Sequence, residues 1–188
     1  MTCIAALVSN GEVFMASDSM HSDSYTEEYS KFPKVFKNNS SNVPFIIGYT
    51  TSTRMGQIIQ YGFEPPRKYK DVTIEQYLFD FVNELKCAFE DHGFKRVDPV
   101  GEDAGGTFLL GIFGRLFKVQ SDFSILELDH YGAVGSGADV AKGVLWHAHN
   151  YSEENDSVEI VTRAVLAATD HCSGVGGDIN IATLRKED

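Results

Sequence analysis

"TCIAALVSNGEVFMASDS", residues 2–19, decides how the chain begins to fold. Two apolar runs, CIAALV and EVFMAS, flank Ser9-Asn10-Gly11. Asn-Gly between such runs is a strong hairpin signal, because both turn positions require positive φ. A two-residue turn pairs Ser9 with Glu12 and, counting back, Thr2 with Ser19. Asp18 then returns beside Thr2, although strict alternation puts its side chain on the face of Cys3. A twist or bulge at the strand end has to aim it.

Further along, the polar stretch DSMHSDSYTEEYS precedes two strand-like runs, FPKVFK and VPFIIGY. From Thr50 the period becomes helical, and FEPPRKYKD is a loop because two prolines stop a helix. TIEQYLFDFVNELKCAFEDHG reads as a helix with a Thr73/Gln76 capping box and Gly93 at its end. Tyr77, Leu78, Phe81, Val82, Leu85 and Phe89 fall on one face. Strands return from Gly105, with turns at Gly114-Arg115 and Ser121-Asp122. Two helices, ADVAKGVLWHAHN and SVEIVTRAVLAATD, and a last strand, GDINIATL, complete the order. That order predicts an α+β fold, two antiparallel sheets sandwiched between helix pairs, with residues 1–188 as one domain.

Composition narrows the function. Of 188 residues, 43% are hydrophobic, enough for one sizeable core. The net charge of -11, with only two short basic clusters (RKYK and LRKE), argues against nucleic-acid binding. Cys3, Cys87 and Cys172 are odd in number and not periodic, which argues against a disulfide framework or zinc site and predicts reduced thiols. No metal is expected. The apolar runs are too short to span a membrane, and no secretory pattern stands at the start, so a cytoplasmic location is expected.

The remaining signal is chemical. Methionine is normally clipped before a small residue, which would leave Thr2 with a free α-amine. A threonine hydroxyl needs a nearby base, and an N-terminal threonine carries one. Its amine titrates near pH ~8 when unperturbed. Lys34, at the start of FPKVFK, would stay charged beside Asp18 and stabilise a developing oxyanion. Each residue also has a plain role: surface Thr, turn Asp, solvated Lys. Ser136 in GSGAD could cap the next helix with Asp139 as capping-box partner. Cys3 would need two residues trimmed to act as nucleophile and reads as a core thiol.

Together these residues resemble the proteasome β-subunit and HslV family of N-terminal-nucleophile hydrolases, over essentially the whole chain. Thr2 falls on the family's nucleophile, Asp18 on its aspartate and Lys34 on its lysine, sixteen and again sixteen residues apart. The resemblance implies a four-layer αββα sandwich. It places Gly48, in FIIGYTT, at the oxyanion hole, and Ser136 at the serine that bonds the N-terminal amine. His21, Phe32, Phe36, Ile46 and Thr50 would line a largely apolar specificity pocket, with Ser22 bonding the substrate backbone. The family's Asp-x-x-Ser-Gly falls on Asp170 and Ser173 in DHCSG. Aligning through RAVLAAT instead puts Cys172 and Val175 there. The implied activity is threonine-type endopeptidase action on unfolded proteins or peptides, with no cofactor. The implied partners are further copies in stacked rings and an ATPase unfoldase ring. A non-catalytic ring subunit and a small-molecule amidase are the alternatives.

Overall fold

The computed structural model describes residues 1–22, 25–39, 43–94, 96–98, 101–103, 106–152, 154 and 156–186. Strands β1 (Cys3–Ser9) and β2 (Glu12–Ser17) form the expected hairpin, in register from Ser9↔Glu12 to Ile4↔Ser17. Asn10 and Gly11 both take positive φ, 54° and 75°, as the tight turn demands. The polar stretch that follows folds into a small second hairpin, β3 (Met20–Ser22) and β4 (Glu27–Tyr29), which its composition does not announce.

After it come β5 (Val35–Asn38), β6 (Phe45–Tyr49) and the helices α1 (Thr53–Tyr61) and α2 (Ile74–Asp91). A short hairpin, β7 (Arg96–Asp98) with β8 (Gly101–Asp103), leads to β9 (Phe108–Ile112), β10 (Arg115–Val119), β11 (Ile125–Leu128) and β12 (Tyr131–Gly135). Helices α3 (Ala138–Tyr151) and α4 (Ser157–His171) precede the last strand, β13 (Asn180–Leu184). One sheet has the order β12-β1-β2-β13 and the other β11-β10-β9-β6-β5, every pairing antiparallel.

Alternation along β1 shows why four layers form. Cys3, Ala5 and Leu7 pack against Ala141 and Leu145 of α3 and Val161 and Val165 of α4. Ile4 and Ala6 point the other way, into a shared core with Val35, Ile46, Leu109 and Leu116 of the second sheet. The far face of that sheet presents Phe45, Ile47, Phe108 and Leu110 to Ile58 and Ile59 of α1 and Phe81, Leu85 and Phe89 of α2. A strand buried on both faces must be apolar at consecutive positions, which is why CIAALV shows no polar alternation. The architecture is an αββα sandwich.

Local chemistry differs from expectation at three places. Thr73 caps α2 through Gln76 N at 3.2 Å, but the Gln76 side chain turns to Asp80 instead of closing the box. The hairpin turn lies at Phe113-Gly114, both at positive φ, one residue before the expected position. Helix α3 is capped at Gly137 without a side-chain bond, so Ser136 is not its cap.

Gly48 sits where the two sheets touch. A Cβ there would lie 2.4 Å from Ile4 Cγ2 and 3.1 Å from Val35 Cγ1. Gly48→Ala therefore overpacks the inter-sheet core. We expect a loss of ~1–3 kcal/mol of stability, read as a lowered urea midpoint at unchanged m-value.

Candidate active site

Four chain segments converge where β1 begins. Thr2 is buried one residue before β1, on the inter-sheet side that it shares with Ile4. Its nitrogen lies 3.3 Å from Ser136 Oγ, and that hydroxyl donates to Thr2 O at 3.3 Å. Gly137 N–H donates to the same carbonyl at 3.2 Å. The Gly-Ser-Gly turn can do this only because Gly135 adopts φ +98°. A Cβ on Gly135 would fall 2.2 Å from Thr2 O. Released from capping, Ser136 is free to hold Thr2.

β2 ends at Ser17, and Asp18 escapes strict alternation there. Asp18 N–H still reaches Cys3 O at 3.3 Å, while its Oδ1 accepts from Cys3 N at 2.9 Å. Both carboxylate oxygens accept from Lys34 Nζ at 3.0 Å, with neither side chain solvent-exposed. Lys34 Nζ also donates to the carbonyls of Met20 and Met1. Among the described residues every hydrogen-bond partner of Nζ is an acceptor, which suits an ammonium with its three donors. Burial pulls the Lys34 pKa below its ordinary value, and the Asp18 carboxylate opposes that pull. Cys3 lies next to this pair, and its thiol is pushed up to about 12, by burial first and then by Asp18. It stays a thiol at neutral pH, consistent with a core residue.

Met1 covers the group. Its amine donates to Ser22 O at 3.4 Å and Ser22 Oγ at 3.3 Å, and its carbonyl accepts from Thr2 Oγ1 at 2.6 Å. While Met1 is present, the Thr2 nitrogen is an amide. β3 offers a strand edge here. Ser30 N–H bonds Ser19 O, so alternation turns the N–H and C=O of Ser22 away from β4 and toward Met1.

A cleft of about 240 Å³ opens beside Thr2 and Lys34. His21 and Ser22 line it. The other lining residues are Met1, Thr26, Glu28, Tyr49, Thr51 and Thr53. Four expected lining residues are elsewhere. Phe32 is exposed, Phe36 packs on Tyr49 in the core under α1 and α2, and Ile46 lies between the sheets. Thr50 is buried with its hydroxyl on Thr107 O at 2.7 Å. The cleft is accordingly polar and not apolar. Tyr49, Thr51 and Thr53 come from the end of β6, the turn after it and the start of α1, where the helical reading from Thr50 hid the turn.

Gly48 does not reach the cleft either. Tyr49 N–H bonds Lys34 O across to β5, and Thr50 N–H bonds Thr107 O on the β9 side. Gly48 N–H therefore faces β9, opposite Leu109, inside the sheet. Asp170 and Ser173 are exposed, and among the described residues neither bonds Thr2, Asp18, Lys34 or Ser136. The backbone just after them does the contacting. Gly176 N–H reaches Asp18 Oδ2 at 3.4 Å, and Gly174 O accepts from Ser22 Oγ at 3.2 Å.

No family model matches the chain. A stretch of 74 residues is 32% identical to proteasome subunit beta of Methanopyrus kandleri, covering 39% of this chain and 35% of that protein. The match thus spans about a third of that relative's length. Among solved structures, BPH of Thiobacillus denitrificans in complex with epoxomicin superposes with a TM-score of 0.77 at 17% identity, covering 97% of this chain and 98% of that one. The fold is that of proteasome β subunits and HslV. Eukaryotic HslV from Trypanosoma brucei gives a TM-score of 0.67 at 17% identity over 97% and 99% of the two chains. In this chain, no helix among the described residues is long and apolar enough to cross a membrane, and no His/Cys/Asp/Glu group among them could hold a metal.

Two expectations follow from the buried charges. Lys34→Met strands Asp18 in the core and lowers stability by ~3–5 kcal/mol, part of which the Asp18→Asn/Lys34→Met double variant recovers in urea unfolding. The His21 pKa is held below its ordinary value by burial and by Lys34, with Asp18 opposing. The unfolded chain then binds the proton more readily below pH ~6.5, so stability falls as pH drops through that window. His21→Gln flattens the fall in melting temperature between about pH 7 and pH 5.

Proposed function

We propose that this chain is a threonine-type endopeptidase whose nucleophile is Thr2 once Met1 has been removed. The observation that carries the reading is the convergence, at one open cleft, of the Thr2 hydroxyl and nitrogen with the buried Asp18–Lys34 pair and Ser136. A free Thr2 amine would stand at Ser136 Oγ, where the amide stands now. It takes the hydroxyl proton, directly or through a water, as Oγ bonds the substrate carbonyl carbon. The carbonyl π pair moves to oxygen, and a backbone N–H at the cleft holds it. Collapse breaks the C–N bond, and the proton held by the Thr2 amine passes to the leaving amine. Water then releases the acyl group from Oγ by the same steps in reverse. Lys34 lowers the pKa of the hydroxyl and supports the growing negative charge.

Ser22 fits as the strand-edge contact for an extended substrate, in the place where Met1 now bonds. The polar lining favours a hydrogen-bonding side chain before the cleaved bond, in place of the apolar one expected from sequence. Association into stacked rings, delivery of unfolded substrates by an ATPase ring and a cytoplasmic setting belong to the same reading. Asp170 and Ser173 are left out of the catalytic group, because among the described residues no hydrogen bond joins them to it. A non-catalytic ring subunit is the second reading, favoured by the seat that Ser22 provides for the Met1 amine.

Intact mass of protein recovered from its native host separates the two: loss of one methionine is expected, and a retained Met1 leaves the non-catalytic reading ahead. A peptide epoxyketone, which requires both hydroxyl and free amine, should label the wild type and not Thr2→Ala. Equal labelling of both removes Thr2 from the mechanism. On fluorogenic peptides that differ only in the residue before the scissile bond, Gln, Ser or Lys should give higher kcat/KM than Leu or Phe.

A further inference from the structure

We infer that Glu28 makes the cleft select substrates that carry a lysine or arginine at the first or third residue before the cleaved bond. The inference rests on the peptidase reading above and adds the charge of the substrate to it. Glu28 stands on β4, in the small hairpin that follows Asp18, and lines the cleft with Thr2, His21 and Lys34. Register puts it there. His21 and Glu28 are direct partners across β3 and β4. Such partners share one face of the pair, so both side chains project toward the cleft. Glu27, the neighbour of Glu28 on the strand, points to the opposite face.

The charges at the cleft differ in what they still have to offer. The Lys34 ammonium is committed to both Asp18 oxygens and to Met20 O. The Glu28 carboxylate makes no ion pair and no hydrogen bond among the described residues. His21 does not offset it at neutral pH, because burial and Lys34 hold the imidazole pKa below its ordinary value. A neutral ring whose Nδ1–H faces Thr53 Oγ1, at 3.4 Å, leaves Nε2 as an acceptor. That Nε2 is buried and has no partner among the described residues.

The cleft therefore presents one unpaired carboxylate and one unpaired acceptor side by side. A cationic side chain supplies what both lack: positive charge for Glu28 and an N–H for Nε2. Lysine and arginine carry several such donors and no acceptor. An acidic side chain meets like charge at Glu28 and a lone pair at Nε2. An extended substrate laid along the Ser22 edge turns its first and third side chains before the bond to the same side.

The test uses the full chain lacking Met1 and fluorogenic peptides that differ only in Lys, Gln or Glu at one of these two positions. They are assayed at neutral pH and low salt, where an exposed carboxylate is least screened. At one of the two positions the wild type should give a kcat/KM roughly tenfold higher for Lys than for Glu, with Gln between. Glu28→Gln should bring that ratio within about threefold of unity, and Glu28→Lys should invert it. Glu27→Lys changes the net charge equally on the other face, and should keep the ratio within about twofold of the wild type. A wild-type ratio near unity at both positions overturns the inference. So does a Glu28→Lys variant that still prefers Lys, or a Glu27→Lys variant that loses the preference equally. In each of those cases the peptidase reading stands. A protein that cleaves none of the peptides and takes no epoxyketone removes the peptidase reading, and this inference falls with it.

Discussion

A lysine and an aspartate buried together at the start of β1 constrain everything around them. Charges withdrawn from water to this degree are tolerated only when paired and fully hydrogen-bonded. Here the Asp18 carboxylate takes both the Lys34 ammonium and the Cys3 N–H, and Lys34 also takes the Met20 carbonyl. The pair thereby ties the end of β2, the beginning of β1, strand β3 and the start of β5 to one point. Two of these belong to the first sheet and one leads into the second, so the pair also sets how the sheets meet at this edge. Thr2 inherits its place from that arrangement.

The same constraint explains the glycines nearby. Close approach at the Thr2 carbonyl leaves no room for a side chain at position 135, and contact between the sheets leaves none at 48. These two glycines serve different ends. Gly135 lets backbone meet backbone at the site, whereas Gly48 lets Ile4 and Val35 meet in the core. One wall of the cleft comes instead from the end of β6, the irregular turn after it and the first residue of α1, with Tyr49, Thr51 and Thr53.

Much of this was legible in the sequence for identifiable reasons. Asn10-Gly11 specifies a turn by its backbone needs, and the turn then sets the register of β1 with β2. The amphipathic face of α2, from Tyr77 to Phe89, follows from a period that only a helix satisfies. The spacing of Thr2, Asp18 and Lys34 is a one-dimensional record of two strand beginnings and one strand end, and the structure brings the three together. Other features were not legible. Whether Ser136 caps α3 or holds Thr2 depends on a contact with a residue 134 positions away. Asp170 and Ser173 match a spacing, yet the backbone of Gly174 and Gly176 makes the contacts. Phe36 and Ile46 belong to the right strands but face cores, because a side chain's face depends on which layer covers it.

By itself, the sequence determined the hairpin, the helices, their order and hence the four layers, because turn chemistry and hydrophobic period are local properties. It also singled out Thr2, Asp18 and Lys34 as candidates by their spacing. Only the tertiary structure decided that the cleft is polar, that Gly48 lies within a sheet and that Thr51 stands at its edge. Those outcomes depend on which strand neighbours each N–H meets, and the register between β6, β5 and β9 exists only once the sheet has formed.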